Sequence, residues 1–103
     1  MRVELKLQDK IISYLEEHRI WHLRYNASVT YGLPDVFALY KGYFIGIEIK
    51  REDGEGVASI LQTEVIESIK ENGGLSTLVD NLGMLHNLFL GIDKGDIPPE
   101  WKN

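Results

Sequence analysis

Apolar residues recur every four positions near the start of the chain, at Leu7, Ile11 and Leu15, with Ile12 beside them. That spacing lines one face of an α-helix and predicts one over residues 3–18. The period then shortens to two. In IWHLRYN, residues 20–26, Trp21, Leu23 and Tyr25 face one way, while Ile20, His22, Arg24 and Asn26 face the other. This is the pattern of a half-buried strand. ASVTYGLP reads as a loop. DVFALY (35–40) and YFIGIEIK (43–50) predict two more strands, joined by Lys41-Gly42, a two-residue connection that favours a tight hairpin. Leu61, Val65 and Ile69 form the stripe of a second helix over 57–72, which Gly73-Gly74 ends. LSTLV (75–79) predicts a short strand, and residues 82–90 a third helix. From Gly91 the chain turns polar and contains Pro98-Pro99, so residues 91–103 are expected to be an irregular tail. The expectation is one α/β domain over 1–103, core about 3–90, in the order αβββαβ(α), with a mixed sheet flanked by helices.

The hairpin carries the first chemical signal. If Lys41-Gly42 is the turn, Tyr40 faces Tyr43, Leu39 faces Phe44, Ala38 faces Ile45, Phe37 faces Gly46 and Val36 faces Ile47. The next pair outward is Asp35 with Glu48. Two carboxylates then meet across an antiparallel ladder with Cβ atoms roughly 5 Å apart, and like charges so placed destabilise a sheet. A divalent cation between them removes that penalty, and the hard oxygens suit Mg²⁺ or Mn²⁺. Alternation places Phe44, Gly46, Glu48 and Lys50 on one face of the third strand, so the Lys50 ammonium projects with Glu48 toward Asp35. Gly46 is expected to leave room there for a ligand. The competing reading is that Glu48 and Lys50 end a solvated strand and Asp35 is a turn residue.

Composition narrows the chemistry. There is no cysteine, which excludes disulfides, thiolate metal sites and cysteine nucleophiles, and suits a reducing cytoplasm. The histidines have no zinc-site spacing, and Ser59 and Ser76 lack a nearby His-Asp arrangement. No apolar run approaches a signal peptide or a membrane span, so no membrane partner is expected. The formal net charge of −5 opposes nucleic-acid binding. Against this, His18, Arg19, His22 and Arg24 cluster in sequence, and Lys50 adjoins Arg51.

With these residues in view, Gly32-Leu33-Pro34-Asp35 followed by Glu48-Ile49-Lys50 resembles the PD-(D/E)XK nuclease signature. Glu4 and Gln8 in the first helix, Arg24 to Asn26, GLPD, EIK and Gln62 followed by Gly73-Gly74 are together similar to the virus-type replication-repair nuclease (VRR-NUC) domain, over roughly residues 4–80. The resemblance implies a restriction-endonuclease-like core and a Mg²⁺- or Mn²⁺-dependent, structure-selective DNA endonuclease. It implies action on branched DNA such as four-way junctions, by a homodimer, in a bacterial cell or a phage-infected host cell. By the same resemblance Asp35, Glu48 and the Ile49 carbonyl bind the metal, Lys50 is the motif lysine, and Gln62 and Glu4 match the second-helix glutamine and first-helix acid. RYNASVTYG is less basic than the corresponding segment of many relatives. Glu52, Asp53 and Glu55 are acidic for a DNA-facing loop.

Each residue also has a plainer reading. Glu4 in a first helical turn favours the helix dipole. Gln62 can be an ordinary exposed helical glutamine. His22 and Arg24 share a strand face and can touch phosphates, as can Arg51, or all three can be solvated. Two other functions stay open: a catalytically silent nucleic-acid-binding module, and a nuclease of single-stranded DNA or RNA.

Overall fold

The computed structural model describes residues 6–24, 32–50 and 60–103. The elements follow in the order α1 (Leu7–Glu17), β1 (Trp21–Arg24), β2 (Val36–Tyr40), β3 (Tyr43–Ile49), α2 (Ile60–Glu71), β4 (Leu75–Val79) and α3 (Leu82–Lys94), then a 3₁₀ turn at Pro99–Trp101. The strands form one mixed sheet in the order β1-β2-β3-β4. β1, β2 and β3 pair antiparallel, and β4 runs parallel to β3, with α2 as the crossover. The chain is therefore an α/β protein. Among the described residues no helix is long and apolar enough to cross a membrane.

The expected hairpin register is realised from Tyr40↔Tyr43 to Val36↔Ile47. Lys41 and Gly42 both take positive φ, 48° and 87°, as a two-residue turn matched to the strand twist requires. Lys41 is not a glycine, and its ammonium is anchored. It pairs with Asp93 of α3, and Tyr40 Oη donates to the same carboxylate oxygen at 2.8 Å. The Lys41 charge, and then the Tyr40 hydroxyl, hold the Asp93 carboxyl below the ordinary range. The bond to Asp93 raises both Tyr40 and Lys41.

Alternation along the strands sorts the sheet into two faces. Val36, Ala38, Ile45, Ile47, Ile49, Leu75 and Val79 join Ile11 and Leu15 of α1 and Leu85, Leu88, Phe89 and Ile92 of α3 in one buried core. Each fully buried Val, Leu, Ile or Phe side chain among them contributes about 1.5–3 kcal/mol. The second face, with Gly46, Glu48 and Ser76, lies under α2, which packs over β3 and β4.

Two expectations need correction. α3 does not stop at residue 90. Its apolar stripe continues through Ile92, and Gly95, at φ 77°, ends it at Lys94. The tail is not irregular throughout either: Trp101, in the 3₁₀ turn, is fully buried in the core. The core thus reaches beyond residue 90, because the 3₁₀ turn packs against β4 and carries Trp101 into the core. The Trp21–Leu23 side of β1 is also the exposed side, since α2 does not extend over it.

Candidate active site

The C-terminal ends of β1, β3 and β4, the start of β2 and the first turn of α2 share one end of the sheet. GLPD delivers Asp35 to this end. Gly32 has φ 85°, and a Cβ there would lie 2.6 Å from Leu61 Cγ, so both backbone angle and space demand glycine. Pro34 is fully buried and packs on Gly46. A Cβ on Gly46 would meet Ile69 Cδ1 at 2.9 Å, Pro34 Cγ at 3.0 Å and Ser76 Oγ at 3.1 Å. The expected ligand space at Gly46 is therefore filled by protein. The missing side chain allows the GLPD turn and α2 to close onto β3.

The backbone ladder of β2 and β3 ends at Val36↔Ile47. One step further, Asp35 Oδ2 accepts the backbone N–H of Ile49 at 2.8 Å. The side chain takes the place of a strand carbonyl and fixes the carboxylate beside the Glu48–Ile49 step. In an antiparallel ladder one residue turns its N–H and C=O toward the same neighbour. The Ile49 carbonyl accordingly lies on the Asp35 side of β3.

Glu48 is 4% exposed, on the α2 face of β3. Its Oε1 accepts from Gln62 Nε2 at 2.7 Å. An ionised carboxylate at this depth needs hydrogen bonds and counter-charge; the neutral amide of Gln62 supplies the first. Lys50 follows at the strand end. Its N–H donates to Val79 O at 2.8 Å, which holds the backbone in the β4 ladder. Its side chain is exposed, and alternation continues it onto the Glu48 face.

The fold thus brings Asp35, Glu48, Ile49 and Gln62 together, with Lys50 at the same strand end. Glu4 and Arg51 lie outside the described residues. His22 and Arg24 share a face as expected, but it is the α1 face of the sheet, opposite Glu48, because they pair with Ala38 and Val36 of the core. With the Gln8 amide oriented oxygen-first, Arg24 Nε and Nη2 donate to it at 2.9 and 3.1 Å. His22 Nδ1 bonds to Ile20 O at 2.8 Å and His18 Nδ1 to Tyr14 O at 2.9 Å. His18 and Arg19 precede β1, at the hairpin end of the sheet, so the basic residues clustered in sequence do not form one patch beside the carboxylates. Among the described residues no three His, Cys, Asp or Glu side chains group as a metal site. The carboxylates held there by the bonds described above are those of Asp35 and Glu48. Ser76, set aside as a nucleophile, has a structural role that the sequence did not announce: it is buried and donates to Gly46 O at 2.8 Å. A serine among the strand residues of LSTLV was its only signal.

Compared with known protein families and with curated proteins, the chain has no match.

Proposed function

We propose that the chain is a metal-dependent nuclease of the PD-(D/E)XK type, with the pattern of a VRR-NUC domain, that hydrolyses phosphodiester bonds in branched DNA such as four-way junctions. The observation that carries this reading is the fixing of two carboxylates at one point of the sheet: Asp35 by the Ile49 N–H and Glu48 by Gln62.

The donor set fits Mg²⁺ or Mn²⁺. Asp35, Glu48 and the Ile49 carbonyl are hard oxygen donors on two neighbouring strands, and their anionic charge favours a small divalent ion. Such an ion, when bound, supplies positive charge to the scissile phosphate and acidifies water. The remaining work falls to the protein. Asp35 and Glu48 hold their orientation before substrate arrives, because each has an oxygen committed to a protein donor. Gln62 is a positioning residue that keeps Glu48 in one rotamer. Lys50 reaches from the strand end into solvent on the Glu48 face. There its ammonium stabilises negative charge developing on the phosphate or orients the attacking water. A phosphodiester approaches from that exposed side, since the other side of Glu48 is packed by α2.

The second reading is a nucleic-acid-binding module that keeps the nuclease fold and does not cut. One assay separates the two. A labelled four-way junction is incubated with the protein and Mg²⁺ or Mn²⁺, beside single-stranded DNA and RNA at the same salt concentration. The nuclease reading expects junction cleavage that disappears in Asp35→Asn and Lys50→Ala. Binding without cleavage supports the silent module, and preferential cutting of single strands or RNA changes the substrate. Cleavage persisting unchanged in both variants overturns the site assignment.

A further inference from the structure

The alternation in IWHLRYN calls for a covered Trp21–Leu23 face, yet that face is open to solvent. Trp21 is 60% exposed, Leu23 52%, Leu39 49% and Phe44 46%. The register gathers them. Trp21, Leu39 and Phe44 form one row across β1, β2 and β3, and Leu23, Phe37 and Gly46 form the next. The Phe37 and Phe44 rings lie 5.2 Å apart. Neither row holds a charged residue. Alternation carries the same face onward to Asp35 and Glu48. Beside Phe44 it opens into a cavity of about 310 Å³ along α2, where Ser68 and Asn72 supply a hydroxyl and an amide.

We propose that this face binds unpaired bases of the DNA strand that is cut, stacking them on Trp21, Phe37 and Phe44. The proposal deepens the nuclease reading and rests on it for the place of the scissile phosphate. Side-chain chemistry is the first argument. Aromatic rings set in a sheet surface stack nucleobases, and they accept any base because every base has a π-face. Charge is the second. The chain carries −5, and His22 and Arg24 of β1 face α1, away from the carboxylates. Attraction to phosphates is therefore weak, and an uncharged aromatic face gives affinity that does not depend on it. A duplex gains nothing there. Its bases are already stacked inside, and neither row offers a cation to its phosphates. Spacing is the third. Phe44 and Glu48 lie four residues apart along β3, about 13 Å. A strand rising about 3.4 Å per nucleotide covers that distance in roughly four nucleotides. A base on Phe44 thus belongs to the same strand as a phosphate at Glu48, a few nucleotides away. The Ser68 hydroxyl and Asn72 amide then meet the polar edge of that base.

The test runs in EDTA, so that nothing is cut and its outcome is separate from that of the cleavage assay. A short oligo(dT) is titrated into the full chain, beside a hairpin duplex. Trp101 is fully buried, so a change in tryptophan emission reports Trp21. Oligo(dT) is expected to quench that emission, and the duplex is not. Trp21→Ala and Phe44→Ala are each expected to weaken binding of labelled oligo(dT) about 10- to 100-fold, the scale of one lost stack. Trp21→Phe, which restores a ring, is expected to recover most of it. Trp21 lies exposed on the edge strand, so its variants are expected to keep the wild-type circular dichroism. The slope of log affinity against log salt is expected to be shallower than about −2, the value for roughly three phosphates. Emission unmoved by oligo(dT), or a folded Trp21→Ala that binds like the wild type, overturns the proposal even where junctions are cut. So does a doubled mass that Leu39→Lys returns to that of one chain while emission stays unmoved, since a second copy would then cover the face. Quenching in a protein that cuts no junction supports the stacking face and rejects the nuclease.

Discussion

Gln62 Nε2 donates to Glu48 Oε1 at 2.7 Å and so ties the first turn of α2 to the end of β3. This bond orients the buried carboxylate without neutralising it. Gln62→Ala is expected to lower junction cleavage about 10- to 100-fold, the range for losing a group that orients a metal-binding side chain. It is also expected to raise the Mn²⁺ concentration needed for half-maximal rate, because Glu48 loses the donor that fixes its carboxylate. Identical Mn²⁺ dependence in both proteins would reduce Gln62 to a packing role.

Asp35 has two jobs that one substitution separates. Its Oδ2 accepts from the Ile49 N–H, and its negative charge faces the site. Asp35→Asn keeps an acceptor oxygen and removes the charge, whereas Asp35→Leu removes both. The Asn variant is expected to lose stability by no more than about 1 kcal/mol, and the Leu variant by about 1–3 kcal/mol, since it strands a partly buried N–H. Cleavage should fall on the order of 100-fold or more in both. Thermal melts beside single-turnover rates check the split.

Gly46 is a packing glycine. Gly46→Ala places a Cβ 2.9 Å from Ile69 Cδ1 and 3.0 Å from Pro34 Cγ. Overpacking of this kind costs about 1–3 kcal/mol. Part of it should be recovered in Gly46→Ala/Ile69→Val, which deletes the closest methyl. Urea denaturation of the single and double variants measures the recovery; no recovery would mean that Ile69 is not the obstacle.

The pH dependence of stability should carry the mark of the Lys41–Asp93–Tyr40 cluster. Asp93 is lowered from 3.8 in the folded chain, so its contribution is present above that value and lost as pH falls through the folded pKa. Lys41 is raised from 10.5 and Tyr40 from 10.0, so theirs is present below those values and lost as pH rises through the folded ones. Asp93→Asn should therefore lie below the wild type by a small, constant margin at neutral pH, small because the groups are exposed. The two curves should converge in acid, once the pH lies below the folded Asp93 value, and again in strong alkali. Melting temperatures across pH test this, and a margin that persists in acid would contradict it.

The sequence made the site legible where covalent spacing alone determines geometry. Lys41-Gly42 set the hairpin, the hairpin set the register as far as Val36↔Ile47, and Asp35, one step beyond, bonds to the Ile49 N–H next to Glu48. Helix packing was a different matter. Alternation placed His22 with Arg24, and Glu48 with Lys50, but could not say which helix covers which face. That depends on the long-range docking of α1 and α2. Gly46 looked like open space because a missing side chain reads the same whether a ligand or Ile69 fills the gap. Trp101 sat in a polar, proline-containing tail, where no periodic neighbour signals burial. The Trp21–Leu23 stripe announced an apolar face correctly, and the fold of one chain leaves it uncovered.

The central claim is that Asp35 and Glu48 together hold a divalent cation. Mn²⁺ titration followed by the electron paramagnetic resonance of the free ion tests it without substrate. The account predicts that the wild type removes Mn²⁺ from the free signal and that Asp35→Asn and Glu48→Gln each weaken this by at least about tenfold while remaining folded. Equal Mn²⁺ binding by the wild type and both variants would contradict it.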